Sequence, residues 1–236
     1  LSDYIEYPFL IPRIYLDFNI CNDNVIVQST MIIKLKSKES SEIILNGHQI
    51  KLLSILINGK ELTKKEYILL DKKLVINNTP KTDFELKIKS EIDPFNNTSL
   101  EGLYLSEGML TTQCEAEGFR SICYHPDRPD VLSKYIVRIE SDINQYPILL
   151  SNGNKKYSGK LKNNNHRHEI IWEDPFPKPS YLFALVAGKL SLVSDQYITN
   201  TGRRIDINIY VESGNESYTK HAIDSLKKAM KWDEDN

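Results

Sequence analysis

The hydrophobic residues of this chain recur with a period of two. Ile14, Leu16, Phe18 and Ile20 alternate with Tyr15, Asp17 and Asn19, and Val25, Val27, Ser29, Met31, Ile33 and Leu35 form one face of a longer run. The same alternation returns at Phe84, Leu86 and Ile88, at Tyr135, Val137 and Ile139, and at Ile205, Ile207, Ile209 and Val211. A repeat of two puts one face on a core and the other in water, which half-buried antiparallel strands require. Turn chemistry separates the runs. Asn58-Gly59 suits a two-residue hairpin because both residues tolerate positive φ. Asp71-Lys72-Lys73 divides Tyr67–Leu70 from Leu74–Ile76, and Asn46-Gly47 and Asn152-Gly153 mark further turns. Several short strands at this spacing predict a β-sandwich-like arrangement.

One segment breaks the period. From Tyr218 to Trp232, Ile223, Leu226 and Met230 recur at helical spacing beside Ala222 and Ala229, with Lys220, Asp224, Lys227, Lys228 and Lys231 opposite. Pro175, Pro177 and Pro179 are expected to interrupt helix and sheet alike. The apolar run Tyr181–Ala187 after them suits a strand buried on both faces. A domain seam is expected just beyond it, near Gly188. Residues 188 onward offer that helix and a few strands with no partner surface of their own, so the helix is expected to be mobile or held by neighbours.

Composition bounds what such a chain does. Its 236 residues suffice for about one and a half domains at ~150 residues each. Thirty Lys and Arg against thirty-two Asp and Glu leave a net charge of −2, so no basic surplus argues for nucleic acid or anionic lipid. No apolar run approaches the ~20 residues of a membrane-spanning helix. The opening Leu1-Ser2-Asp3-Tyr4 lacks the charged and apolar regions of a signal peptide and has no initiating Met, so a piece of a longer chain is expected. Cys21, Cys114 and Cys123 are too few for a disulfide framework, which suggests a reduced, cytoplasmic setting.

Most catalytic signatures are absent. There is no nucleophile elbow, no phosphate-binding glycine loop, and no obvious His and Asn partner for Cys114 or Cys123. His168-Glu169 begins like the zinc motif H-E-x-x-H but ends in Trp172. His166 and His168 beside Asn163-Asn164-Asn165 read as exposed loop residues, so no metal ligand is assigned. Asp127 to Asp130 reads as an internally salt-bridged stretch. The segment Thr111–Arg120 packs polar, charged and small residues without clear alternation. Taken alone it is most simply a structural loop. If it is extended, Gln113 and Glu115 share a face, and an amide oxygen beside a carboxylate suits an ammonium group.

Several blocks of the sequence resemble the M1 family of zinc aminopeptidases: Thr112-Gln-Cys-Glu-Ala-Glu-Gly-Phe-Arg120, Asp127-Arg-Pro-Asp-Val131, Tyr146-Pro-Ile-Leu-Leu-Ser-Asn-Gly-Asn154, Asp174–Gly188 and Ser225–Glu234. They come in the family's order, densely from about Leu100 onward. The resemblance implies a mainly β chain: an antiparallel β-sandwich-like N-terminal domain over residues 1–187, followed over 188–236 by the first strands and one helix of an incomplete thermolysin-like α+β catalytic domain. It implies zinc-dependent removal of N-terminal amino acids from peptides by the full-length parent. The family's zinc motif H-E-x-x-H, its further Glu ligand and its G-A-M-E-N motif do not occur here, so this chain is expected to hold no zinc, to contain no catalytic residue and to be inactive alone. The one functional element it carries by resemblance is the substrate α-amine anchor, Gln113 and Glu115. The implied partners are peptides with a free N-terminus and the chain's own catalytic domain. Ser121, Cys123 and His125-Pro126 depart from the family's usual Arg, Thr and aromatic-Leu, and flank the anchor without touching it. The rival reading is a non-enzymatic β-sandwich binding module.

Overall fold

A computed structural model describes residues 3–36 and 42–236, so Leu1 and Ser2 of the opening tetrapeptide lie outside the described residues. The strands are β1 (Phe9–Ile20), β2 (Val25–Leu35), β3 (Ile43–Asn46), β4 (Lys51–Ile57), β5 (Lys60–Glu61), β6 (Tyr67–Leu70), β7 (Lys73–Ile76), β8 (Phe84–Ile92), β9 (Gly102–Ser106) and β10 (Met109–Gln113). They continue as β11 (Ser133–Asp142), β12 (Ile148–Ser151), β13 (Asn154–Leu161), β14 (Asn164–Lys178), β15 (Leu185–Gly188), β16 (Ser191–Ile198) and β17 (Arg204–Val211), before the helix α1 (Thr219–Asp235). The chain divides into two compact units, Leu1–Ala187 and Gly188–Asn236.

In the first unit an eight-stranded sheet runs β13-β14-β11-β1-β2-β8-β4-β5. Its pairs are antiparallel except β1 with β11, which lie parallel with Ile14 opposite Tyr135 and Phe18 opposite Ile139. Parallel neighbours need a long crossover, and here the chain between them builds two smaller sheets, β3-β7-β6 and part of β12-β15-β10-β9. The alternating residues pack as their period requires: Ile14, Leu16, Phe18, Val25, Val27, Met31, Leu86, Ile88, Val137 and Ile139 are buried in one core shared by all three sheets. Strand β1 carries an extra residue between Leu10 and Arg13 relative to β2. This bulge resets the alternation, so Ile11 and Ile14 both face inward although three positions apart, and it accommodates Pro12. The Asn58-Gly59 hairpin forms as expected, with φ of 49° and 80° between Ile57 and Lys60.

Two expectations fail here. Strand β14 runs through Pro175 and Pro177. Its partner β13 stops pairing at Glu173, and a register shift lies between its Asp174 and Lys178 contacts with β11, so no regular ladder demands the missing N–H groups. The run Tyr181–Ala187 is not a doubly buried strand. Ser180–Leu182 is a 3-10 turn, Leu182 is half exposed, and only Leu185–Gly188 forms a strand. Hydrophobicity alone could not distinguish a strand from a turn whose every second side chain is inward.

In the second unit β16 and β17 form an antiparallel hairpin from Ser191–Val211 to Ile198–Arg204. The helix has its own partner surface, contrary to expectation. Ile223 packs with Tyr197 and Ile207, flanked by Val193, Ile205, Ile209 and Met230. Lys227 pairs with Asp195 at 2.6 Å, and the Tyr197 hydroxyl donates to Glu234 at 2.7 Å. Leu226, placed on the apolar face by spacing, is exposed.

Candidate functional site

The element that carries Gln113 and Glu115 is the end of β10. This strand is held on both sides: Leu110 opposes Leu105 of β9 and Ala187 of β15, and Gln113 opposes Gly102. Thr112 locks the β15 side. Its hydroxyl accepts from the Leu185 N–H at 2.9 Å and donates to the Leu185 carbonyl at 3.3 Å. The strand ends at Gln113 and a turn follows, yet the alternation persists: Gln113 is exposed, Cys114 is buried and Glu115 is exposed. The two sequence-predicted residues are therefore both exposed. The Gln113 side-chain N–H donates to the Glu115 backbone carbonyl at 3.0 Å. The Glu115 carboxylate has no hydrogen-bond or ion-pair partner among the described residues.

Beneath this turn the structure is closely packed. Gly118 donates to the Cys114 carbonyl at 2.8 Å, and a Cβ there would lie 2.3 Å from the Gln113 carbonyl oxygen, so only glycine fits. Phe119 follows on a 3-10 turn and is fully buried, its ring 5.3 Å from Phe183 and 5.2 Å from His125. Arg120 then reaches Asp127. The Asp127 carboxylate accepts from the Arg120 backbone N–H and Nε at 3.1 Å each, and from the Ser180 hydroxyl at 2.5 Å. The Asp127 N–H donates to the Asn46 side chain at 3.1 Å. Asp127 thus ties the turn after β10 to β3 and to the turn before β15. Of the salt bridging expected within residues 127–130, Arg128 does pair with Asp130 at 2.8 Å, and this holds the Asp130 carboxyl down at about 2. Asp127 instead bonds outside that stretch. The sequence marks Asp127 only as part of the 127–130 stretch, with nothing to pair it with Arg120 or Ser180, and Ser180 is not singled out at all.

Other candidate groups have structural partners. Burial, aided by the Asp127 charge, pushes the Cys114 thiol up to about 12 and the Cys123 thiol well above its ordinary value, so neither is a thiolate nucleophile at neutral pH. His168 is not an exposed loop residue. It sits half-buried in β14 with Nε2 2.8 Å from the Tyr146 carbonyl and 3.1 Å from the Ser141 hydroxyl. Its neighbour Glu169 pairs with Arg138 at 2.5 Å. His166 also lies in β14, where it is exposed. Among the described residues no three His, Cys, Asp or Glu side chains come together in a way that could hold a metal ion. Among the described residues no helix is long and apolar enough to cross a membrane.

Residues 11–182 match the Peptidase M1 N-terminal domain family. The chain belongs to that family. This M1 N-terminal domain is 47% identical over 235 residues to aminopeptidase N of Caulobacter vibrioides, covering 100% of this chain and 27% of the relative. It is 44% identical to aminopeptidase N of Escherichia coli, covering 99% of this chain and 26% of the relative. The chain therefore spans about a quarter of the length of the curated relatives it matches. Among solved structures, Legionella pneumophila aminopeptidase A in complex with aspartic acid superposes with a TM-score of 0.94 at 35% identity, over 99% of this chain and 28% of that one. An M1 zinc metallopeptidase from Deinococcus radiodurans bound to a Tyr-Ser-Ala substrate shares the fold, with a TM-score of 0.73 at 14% identity over 88% of this chain and 48% of that one.

Proposed function

We propose that this chain is the N-terminal portion of a cytoplasmic zinc aminopeptidase, in which Gln113 and Glu115 hold the α-ammonium group of a peptide substrate. On this reading residues 1–187 are the β-rich N-terminal domain and residues 188–236 begin the catalytic domain. The observation that carries it is the unpartnered Glu115 carboxylate, exposed beside Gln113 at the end of a strand pinned on both sides, in a member of the M1 N-terminal family. An exopeptidase must recognise a terminal ammonium. A carboxylate at a fixed place does so through charge-assisted hydrogen bonds that contribute roughly 1.5–3 kcal/mol each. On this reading zinc and the water it activates are supplied by parts of the enzyme outside this chain; among the described residues no three His, Cys, Asp or Glu side chains come together in a way that could hold a metal ion. The role of this chain is to bind and orient.

The test uses the full-length enzyme. Glu115→Gln keeps the side-chain shape and removes its charge. It should lower kcat/KM for a substrate with a free N-terminus by roughly ten- to two-hundredfold, with zinc content unchanged. A substrate with a blocked α-amine should lose little further rate, and Gln113→Ala should show a milder form of the same pattern. A Glu115→Gln enzyme within twofold of the parent would return the element to a structural role. The 236-residue chain alone should neither cleave peptides nor retain stoichiometric zinc after dialysis.

A further inference from the structure

The sequence contains three Asn-Gly pairs, Asn46-Gly47, Asn58-Gly59 and Asn152-Gly153. Such a pair carries a latent reaction. A glycine nitrogen is hindered by no Cβ, and the carbonyl carbon of the preceding asparagine side chain is within its reach. The structure gives the three pairs different surroundings.

Two of them are closed. Gly47 is buried, its N–H donates to the Lys72 carbonyl at 3.1 Å, and a Cβ there would lie 2.2 Å from the Tyr124 ring. The Asn46 Oδ1 accepts from the Asp127 N–H at 3.1 Å. Asn152 is held at both ends of its amide: Nδ2 donates to the Leu182 carbonyl at 3.1 Å and Oδ1 accepts from the Ala184 N–H at 2.7 Å. A Cβ on Gly153 would lie 2.3 Å from the Glu173 carbonyl oxygen.

Asn58 and Gly59 are open. Both are exposed at the hairpin tip between β4 and β5, and nothing lies within 4 Å of where a Gly59 Cβ would stand. Neither the Gly59 N–H nor the Asn58 Nδ2 has a hydrogen-bond partner among the described residues. The side chain is held only through Oδ1, which accepts from the Glu85 N–H at 2.9 Å. That bond leaves the amide nitrogen free to depart and polarises Cγ, since a donor on the oxygen stabilises the charge that attack places there. Strand β5 is two residues long, lies at the edge of its sheet and pairs with β4 alone. Opening the tip to bring the Gly59 nitrogen onto Cγ therefore disrupts one short pairing.

We propose that Asn58 is a site of spontaneous covalent modification, deamidating through attack by the Gly59 nitrogen while the fold protects Asn46 and Asn152. The Gly59 nitrogen gives its proton to water and bonds to Cγ, the Cγ–Nδ2 bond breaks, and ammonia leaves behind a cyclic imide. Water then adds to one imide carbonyl. Opening at Cγ yields aspartate, and opening at the main-chain carbonyl yields isoaspartate. Nothing is oxidised or reduced. Isoaspartate adds a carbon to the main chain of the turn that sets Ile57 opposite Lys60, so that pairing is lost in the product.

The test is tryptic peptide mapping by mass spectrometry of the 236-residue chain, incubated at mildly alkaline pH either folded or in urea. Cleavage after Lys51 and Lys60 releases Asn58 on residues 52–60. In the folded chain Asn58 should deamidate roughly tenfold or more faster than Asn46 and Asn152, with isoaspartate among its products; in urea the three rates should agree within about threefold. Gly59→Ala, compared in urea where its effect on the hairpin is irrelevant, should slow the reaction at Asn58 by roughly tenfold, because the added Cβ hinders the attacking nitrogen. Three results would overturn the proposal: equal rates at the three sites in the folded chain, the same ranking in urea as in the fold, or deamidation at Asn58 that yields no isoaspartate and ignores Gly59→Ala.

Discussion

Residues 113–117 and residues 118–127 adjoin in sequence and differ in almost every physical respect. In the first stretch Gln113 and Glu115 are exposed, and the one hydrogen bond of their side chains runs back to the stretch's own backbone at 3.0 Å. In the second, Phe119, Ile122, Cys123, Tyr124 and His125 are all buried, and Asp127 is bonded to Arg120, Ser180 and Asn46. On the proposed reading the difference separates two tasks. The buried stretch fixes where the exposed one stands, and the exposed stretch keeps an unspent carboxylate. A binding group works best when its position is determined by neighbours that do not themselves use it up.

The comparison breaks most severely at Asp127. Removing one member of a buried ion pair strands the other, at a cost of ~3–5 kcal/mol. Arg120 keeps Glu117 at 3.0 Å, so Asp127→Ala should fall at the lower end, about 3 kcal/mol in urea unfolding. Asp127→Asn retains the acceptor for Ser180 and should lose less. If Asp127→Ala unfolded at the wild-type urea midpoint, the clamp would not be what holds the turn.

A smaller effect comes from His125. Its ring is fully buried, neither nitrogen hydrogen-bonds to a described residue, and burial holds its pKa from the ordinary 6.5 down to about 3. The folded state therefore keeps His125 neutral while the unfolded chain takes up a proton below about pH 6.5. Its contribution is complete above that pH and is lost as pH falls toward 3, by about 2 kcal/mol at pH 5. His125→Leu cannot titrate, so its stability should fall about 2 kcal/mol less than that of the wild type between pH 7 and pH 5. Equal losses in the two proteins would show that His125 is reached by water in the fold.

What could be read from sequence follows the same division. Strands with one wet face were legible because alternation is local: β1, β2, β8, β11 and β17 lie where Ile14, Val25, Phe84, Tyr135 and Ile205 begin their runs. Gln113 and Glu115 were marked by the resemblance to the M1 family rather than by alternation; both are exposed, but Glu115 lies in the turn after β10 and not on an extended segment. Long-range matters were not legible. The Asp127–Ser180 bond joins residues 53 apart in the chain. Pro175 and Pro177 fit in β14 only because β13 has ended, and Ile223 has a partner only because Tyr197 and Ile207 come round the hairpin to meet it. His125 sits beside Pro126 and Asp127, a setting that reads as surface, and only the packing of Phe119 against it shows otherwise.

The smallest expected effect sharpens the comparison from its other side. If the Glu115 carboxylate has no structural partner, Glu115→Gln should leave stability within about 0.5 kcal/mol of wild type, as for an ordinary exposed position. The same holds for Gln113→Ala, since the bond lost is an exposed side-chain contact to the Glu115 carbonyl, which water can replace. The two variants are therefore the reverse of Asp127→Ala, with little change in the unfolding midpoint and a lowered turnover of free N-terminal substrates by the full-length enzyme, large in Glu115→Gln and milder in Gln113→Ala. Urea midpoints measured on the 236-residue chain test the stability half without needing the enzyme. A loss of 2 kcal/mol or more in Glu115→Gln would mean that the carboxylate is already satisfied within the fold. Its effect on activity would then reflect a displaced turn rather than a missing contact to the substrate's ammonium group.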